Sequence, residues 1–205
     1  ISCEETRKEF GKNDLQTGLD VGIKSFATLS DGLKIENPRF FELEQKELAK
    51  ARRRVERSKK EKKTKKDIDK RYKVVKRIHE RIANKRADFS HKTSLSLLKQ
   101  FGTIAVEDID INALIKKRWC NKQILDAAWS RFLGNLTYKA EYAGRKLIRV
   151  NPAYTSQTCS KCGTRTLHKL KKRVFTCSHC KTSIDRDVNA ANNILRIGLE
   201  TLSLS

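Results

Sequence analysis

The chain has 205 residues with 46 lysines and arginines against 24 aspartates and glutamates, a formal net charge of +22 at pH 7. That length supports one sizeable core and a small appended module, and the charge points to a polyanionic partner, nucleic acid first with a membrane surface as the rival. No run of about 18 apolar residues could span a bilayer and no apolar stretch follows a basic start as a secretory signal requires, so an intracellular protein is expected.

The chain contains no Met and begins at Ile1 within ordinary polar sequence, so a fragment lacking an upstream half, or a processed product, is expected. Between Leu15 and Pro38 the pattern suits strands. Leu19, Val21 and Ile23 alternate with Asp20, Gly22 and Lys24, and the run from Ser25 to Leu29 leads into Asp31-Gly32, a strong hairpin signal. Beyond Pro38 the helical period takes over. A helix over roughly Phe41 to Lys60 is expected to pair with a longer one carrying Val74, Ile78, Ile82, Phe89, Thr93 and Leu97 as one stripe. Between these stripes lies Lys50 to Arg77, in which sixteen of twenty-eight positions are Lys or Arg, a density that cannot be buried.

The short apolar run Thr103-Ile104-Ala105-Val106, bounded by Gly102 and Glu107-Asp108, reads as a buried strand ending at Glu107. Leu125, Ala128, Trp129, Phe132, Leu136 and Ala143 mark a further helix stopped by Gly144, with Trp129 and Phe132 in the core. Lys146 to Val150 returns to strand before Asn151-Pro152. After the cysteine-bearing segment 155–183, Val188, Ala191, Ile194, Leu195 and Leu199 form a final amphipathic helix. The alternation implies a mixed α/β domain.

Four of the six cysteines form two Cys-x-x-Cys pairs, Cys159/Cys162 and Cys177/Cys180, separated by fourteen residues. In an unsecreted chain this spacing reads as two knuckles converging on one tetrahedral, structural Zn²⁺ rather than as disulfides. Gly163 follows the first pair where a tight turn would want it. Four protein ligands leave no open position for a catalytic water; His168 and His179 are alternative ligands or simply exposed polar residues.

Three carboxylates fall on three separate elements. Asp20 lies on the polar side of the first strand beside Gly22, Glu107 closes the buried strand where α/β sheets open onto ligand crevices, and Asp187 begins the last helix, where the dipole favours an anion. Each alone reads more readily as a solvated charge than as a catalyst. Together they suit phosphodiester hydrolysis, which with two Mg²⁺ ions needs a cluster of oxygen ligands drawn from distant segments.

The motifs Gly18-Leu-Asp-Val-Gly-Ile-Lys-Ser-Phe-Ala-Thr-Leu-Ser-Asp-Gly32, Ile104-Ala-Val-Glu-Asp-Ile109, Cys159-Ser-Lys-Cys-Gly163 and Asp185-Arg-Asp-Val-Asn-Ala-Ala-Asn-Asn-Ile-Leu195 resemble the C-terminal half of TnpB proteins, the OrfB family of insertion sequences related to type V CRISPR effectors. The resemblance covers nearly the whole chain, in order. It implies an RNase H-like (RuvC) α/β nuclease core over 1–154 and 184–205, a basic helical-hairpin insertion at about 39–100 and a zinc ribbon inserted at 155–183. It further implies Asp20, Glu107 and Asp187 as the catalytic, Mg²⁺-binding acids, a DNA substrate, a guide RNA in the complete protein, and the cytoplasm of a prokaryotic cell. Asp187 is favoured over Asp185 because the family's acid directly precedes the x-Asn-Ala-Ala segment; Asp185 then caps the helix or supports the site. The family's N-terminal region, which helps hold guide RNA and recognise the motif flanking the target, has no counterpart here.

Candidates for nucleic-acid contact are Arg52, Arg53, Lys59, Lys62 and Lys65 on the hairpin, Lys116 and Arg118 in a loop, Lys171 and Arg173 between the knuckles, and Arg186 beside the last acid. The alternative for the hairpin is a solvated element with a disordered tip around residues 58–67. Trp119 suits either base stacking or core packing. A non-cleaving nucleic-acid-binding protein and an integrase-like strand transferase would share most of these features.

Overall fold

The structure, a computed structural model, describes residues 10–116, 120–167 and 172–204. Arg118, Trp119, His168 and Lys171 lie outside these residues.

The alternating segment folds as an antiparallel meander, β1 (Gln16–Val21), β2 (Ser25–Leu29) and β3 (Lys34–Glu36). The Asp31-Gly32 signal closes β2 onto β3. Gly32 takes φ +93, open to glycine at little cost, and the Asp31 carboxylate accepts the Leu33 N–H at 2.8 Å. The apolar runs at 103 and 146 become β4 (Thr103–Glu107) and β5 (Lys146–Val150), both parallel to β1 in the order β3-β2-β1-β4-β5. This is the expected RNase H-like α/β arrangement.

Helices cover both faces, which is why β4 is buried from Thr103 to Val106. On one face Leu19, Phe26, Ile104 and Val106 pack with Leu97 and Leu98 of α2 (Lys65–Gln100) and with Phe132 and Leu136 of α5 (Trp129–Tyr142). On the other, Ala105 and Val150 pack against Ile194 of α6 (Arg186–Ser203). Between β4 and α5 run the short helices α3 (Ile111–Lys116) and α4 (Asn121–Ala127), and a two-stranded ribbon of β6 (Val174–Thr176) and β7 (Ser183–Asp185) precedes α6.

The basic segment is the far end of a helical hairpin made by α1 (Phe40–Lys60) and α2, held together by Leu48, Ala51, Ile78 and Ile82. Its tip is folded: the Lys63 N–H reaches the Ser58 carbonyl, and the Thr64 hydroxyl accepts the Asp67 N–H to cap α2. The expected stripe holds from Ile78 to Leu97, but Val74 is exposed and Val75 takes its place against α1. Each four-residue step advances about 40° around a 3.6-residue helix, so such a run drifts off the packed face.

The single helix expected from Leu125 to Ala143 is two. Ala128 adopts a left-handed conformation, φ 53, and turns the chain between α4 and α5. Leu125 is thereby exposed, and Ile124 and Ala127 enter the core in its stead, beside Trp129 and Phe132, which are buried as expected. The break also buries Asp126. Its carboxylate accepts Nε and Nη2 of Arg86 at 3.0 and 2.7 Å and the Phe41 N–H at 2.9 Å, acting as the cap that α1 lacks locally. Asp126→Ala would strand a largely buried guanidinium and an uncapped helix start together. It is expected to lower stability by about 3 kcal/mol, read from a urea titration.

Candidate active site and metal centre

The parallel register pairs Leu19 with Val106, so Asp20 and Glu107 follow side by side at the carboxyl ends of adjacent strands. Leu19 and Val106 point into the core under α2 and α5; the pleat therefore turns Gly18, Asp20, Ala105 and Glu107 toward α6. That helix lies very close to the sheet. A Cβ at Gly18 would overlap the Ala191 carbonyl oxygen and lie 2.7 Å from the Leu195 nitrogen, and one at Gly198 would sit 2.6 Å from the Ala105 Cβ. Glycine at both positions lets α6 settle with its first turn, bearing Asp187, toward the two strand-borne acids.

Asp185 caps this helix, its carboxylate accepting the N–H groups of Asp187 at 2.9 Å and Val188 at 3.3 Å, while Lys34 of β3 donates to its other oxygen at 2.6 Å. Burial pushes its carboxyl up, but Lys34 and the two N–H donors outweigh that and hold it below its usual value. Asp187 is engaged differently. Its Oδ1 accepts Nε and Nη2 of Arg186 at 3.1 and 2.8 Å, and its Oδ2 accepts Arg173 from the ribbon at 3.4 Å.

The Asp20 side chain has no hydrogen bond or ion pair among the described residues. Burial drives its carboxyl well above the normal range, and the charges of Glu107 and Asp187 add to the shift, only partly offset by Arg186. Burial also raises Glu107, against the Thr155 hydroxyl that donates to its Oε1. Glu107 and Asp187 thus lie near enough for their charges to act on Asp20, and carboxylate oxygens are hard donors of the kind that Mg²⁺ takes. The set is open: among the described residues, only the four cysteines bring three or more ligand atoms within 4.8 Å of one another.

Those cysteines match a tetrahedral zinc site. Cys159 and Cys180 sulfurs stand 3.7 Å apart and Cys162 and Cys177 sulfurs 3.6 Å apart, against about 3.8 Å for the edge of a tetrahedron with Zn–S bonds of about 2.3 Å. The two knuckles repeat one design. The Cys159 N–H bonds the Thr164 carbonyl, the Cys177 N–H bonds the Thr182 carbonyl, and the residues after the second cysteines, Gly163 and Lys181, both take positive φ, +74 and 58. Hydrogen bonds from Thr164 lower the Cys162 thiol to about 5, and burial lifts Cys159 to about 11. His179 is exposed and stands apart from the four sulfurs.

The ribbon is wired to α6 by two fully buried asparagines. Asn189 Nδ2 donates to the Thr158 carbonyl and its Oδ1 accepts the Ser160 N–H, while Asn193 Nδ2 donates to the carbonyls of Thr155 and Thr158. Asn192 reaches the Ser30 carbonyl beyond β2. Sequence reasoning passed over all three, and over Thr155. The available signal was three asparagines within five residues of one helix, poor helix formers that need a tertiary reason to be there.

A family model described as a probable transposase, OrfB_IS605, matches residues 1–118, and one described as Cas12f1-like, TNB domain, matches 129–194. The chain belongs to the OrfB family, that of the TnpB proteins. It is 39% identical over 201 residues to a "Putative RNA-guided DNA endonuclease" of Streptomyces pristinaespiralis, covering 97% of this chain and 49% of that protein. It is 34% identical over 202 residues to the "Putative RNA-guided DNA endonuclease InsQ" of Escherichia coli K12, covering 91% and 50%. The chain therefore spans about half the length of these relatives.

Two solved structures share the fold. One is a Cas12f1–sgRNA–target DNA complex, with a TM-score of 0.60 and 22% identity over 87% of this chain and 49% of that one; the other is a CRISPR-Cas12f ternary complex, at 0.63 and 20% over 95% and 41%.

The basic hairpin leaves charge to spare. Arg52, Arg53, Lys62 and Lys65 are exposed with no ion-pair partner among the described residues, while Lys59 pairs with Glu56 at 2.9 Å and lies over the Tyr72 ring. Lys116 is exposed at the end of α3. Arg173 and Arg186 both sit on Asp187. Among the described residues no helix is long and apolar enough to cross a membrane.

Proposed function

We propose that this chain is the catalytic portion of an RNA-guided DNA endonuclease that hydrolyses phosphodiesters with Mg²⁺ in the cytoplasm of a prokaryotic cell. The observation that carries the reading is that Asp20 and Glu107 end adjacent parallel strands while Asp187, in the first turn of α6, lies near enough for its charge to act on Asp20, in a chain of net charge +22. The names of its relatives support the guide RNA and the DNA substrate.

In this reading the nuclease core comprises residues 1–154 and 184–205, interrupted by the ribbon at 155–183, and the three acids hold Mg²⁺. When bound there, Mg²⁺ supplies activation of the attacking water and charge stabilisation at the leaving 3′ oxygen. Asp20, free of partners, is the donor already available to a cation. Glu107 is held by Thr155. Asp187 must exchange its guanidinium contacts for metal, which releases Arg173 to take a phosphate of the strand being cut. The zinc ribbon is structural.

The hairpin arginines and lysines, with Lys116, form the electrostatic track for the guide–target duplex. Arg52→Ala with Arg53→Ala should flatten the slope of log affinity for an RNA–DNA duplex against log salt by about 2, with Zn²⁺ content unchanged. An unchanged slope would remove these two residues from the interface.

The deciding experiment incubates the chain with single- and double-stranded DNA in Mg²⁺, alone and with the upstream half of a relative and its RNA. The controls are EDTA and the Asp20→Ala, Glu107→Ala and Asp187→Ala variants. Cutting lost in all four controls supports the reading. The engagement of Asp187 by two arginines favours one alternative, a non-cleaving RNA-guided binder, and RNA binding without cutting in any arm would establish that instead.

A further inference from the structure

We propose that Thr155 is a positioning residue for Glu107, linking the orientation of that carboxylate to the zinc ribbon. The inference rests on the nuclease reading above and deepens it. Thr155 is 3% exposed, and its hydroxyl oxygen lies within reach of both Glu107 Oε1 and the Pro152 carbonyl, the latter at 3.3 Å. A hydroxyl has one proton to give, and the carboxylate is the nearer and the charged acceptor. With Oε1 so engaged, the Glu107 side chain is fixed in rotation and its second oxygen is left for the crevice it shares with Asp20.

What holds Thr155 is equally specific. Its main-chain carbonyl accepts one proton of the buried Asn193 amide at 2.8 Å, and the other proton of that amide goes to the Thr158 carbonyl at 2.7 Å. Thr158 also accepts from Asn189, whose Oδ1 takes the N–H of Ser160, the residue after Cys159. The connection thus runs from Glu107 through Thr155 to two asparagines of the helix that carries Asp187, and on to the first zinc knuckle. Groups that orient a metal-binding carboxylate in this way govern affinity for the ion without touching it.

The test uses the zinc-loaded chain and Mn²⁺, a spectroscopically visible substitute for Mg²⁺, with binding followed by electron paramagnetic resonance. Thr155→Val keeps the side-chain shape and the carbonyl that Asn193 needs and removes only the hydroxyl. Its Mn²⁺ affinity is expected to fall about tenfold, with Thr155→Ser restoring it and one Zn²⁺ per chain retained in both. Should the valine chain lose zinc, Thr155→Ala against Thr155→Ser makes the same comparison. In a chain already carrying Glu107→Gln, Thr155→Val should add nothing, because it acts through the carboxylate alone. A natural chain that binds Mn²⁺ equally well with Thr155→Val, or additive losses in the double variant, would overturn the inference and leave the nuclease reading standing. A natural chain that binds no Mn²⁺ would overturn both.

Discussion

Asp20→Asn is expected to abolish Mg²⁺-dependent cleavage and, in the same protein, to raise the thermal midpoint of the metal-free chain. The loss of activity should be at least about a hundredfold, the scale seen when one group that stabilises transition-state charge is removed. The gain in stability follows from the sign of the pKa shift. Burial and the neighbouring charges of Glu107 and Asp187 raise the folded-state pKa of Asp20 well above its unfolded value. The stability contributed by this group is therefore fully present below the unfolded carboxylate range, near ~4, and is lost as pH rises through the raised folded value. At neutral pH this buried acid therefore opposes folding until a cation arrives. Mg²⁺ should accordingly raise the midpoint of the natural chain and leave that of Asp20→Asn nearly unmoved, both read by calorimetry at pH 7. A midpoint lowered by Asp20→Asn would mean that the carboxylate makes a stabilising contact in the folded chain.

Cys177→Ser is expected to remove zinc and, with it, the folded ribbon. Cys177 is fully buried in a core that, among the described residues, consists of Cys159, Phe175, Cys180 and Ile184, too few apolar groups to order the segment unaided. Metal ligation supplies free energy on the order of 10 kcal/mol in such modules. The damage should not stop there. Asn189 and Asn193 would lose the Thr155, Thr158 and Ser160 groups they bond, leaving two amides unpaired on the face that α6 turns toward the ribbon. Zinc content by atomic absorption and DNA cleavage are expected to vanish together. Cys120→Ser, at a cysteine outside the sulfur cluster, serves as the control and should change neither. Full cleavage by a zinc-free chain would separate the ribbon from the active site.

Much of this protein could be read before it was folded. The ends of β4 and β5, the four cysteines and the hairpin turn at Asp31-Gly32 carry their own chemistry, because apolar runs, thiol spacing and glycine's backbone freedom act over a few residues. Asp185 as the cap of α6 was legible for the same reason. The tertiary structure decided the rest. Nothing near Asp126 in sequence foretells Arg86, nothing near Glu107 foretells Thr155, and Arg173 meets Asp187 only because β6 pairs with β7 at the foot of α6. The break at Ala128 is of the same kind, since a left-handed alanine is disfavoured locally and persists because it lets both Ile124 and Phe132 into one core. Local preference sets which elements form; the partners that hold a charged or buried side chain depend on which elements the sheet order and the close seat of α6 bring together.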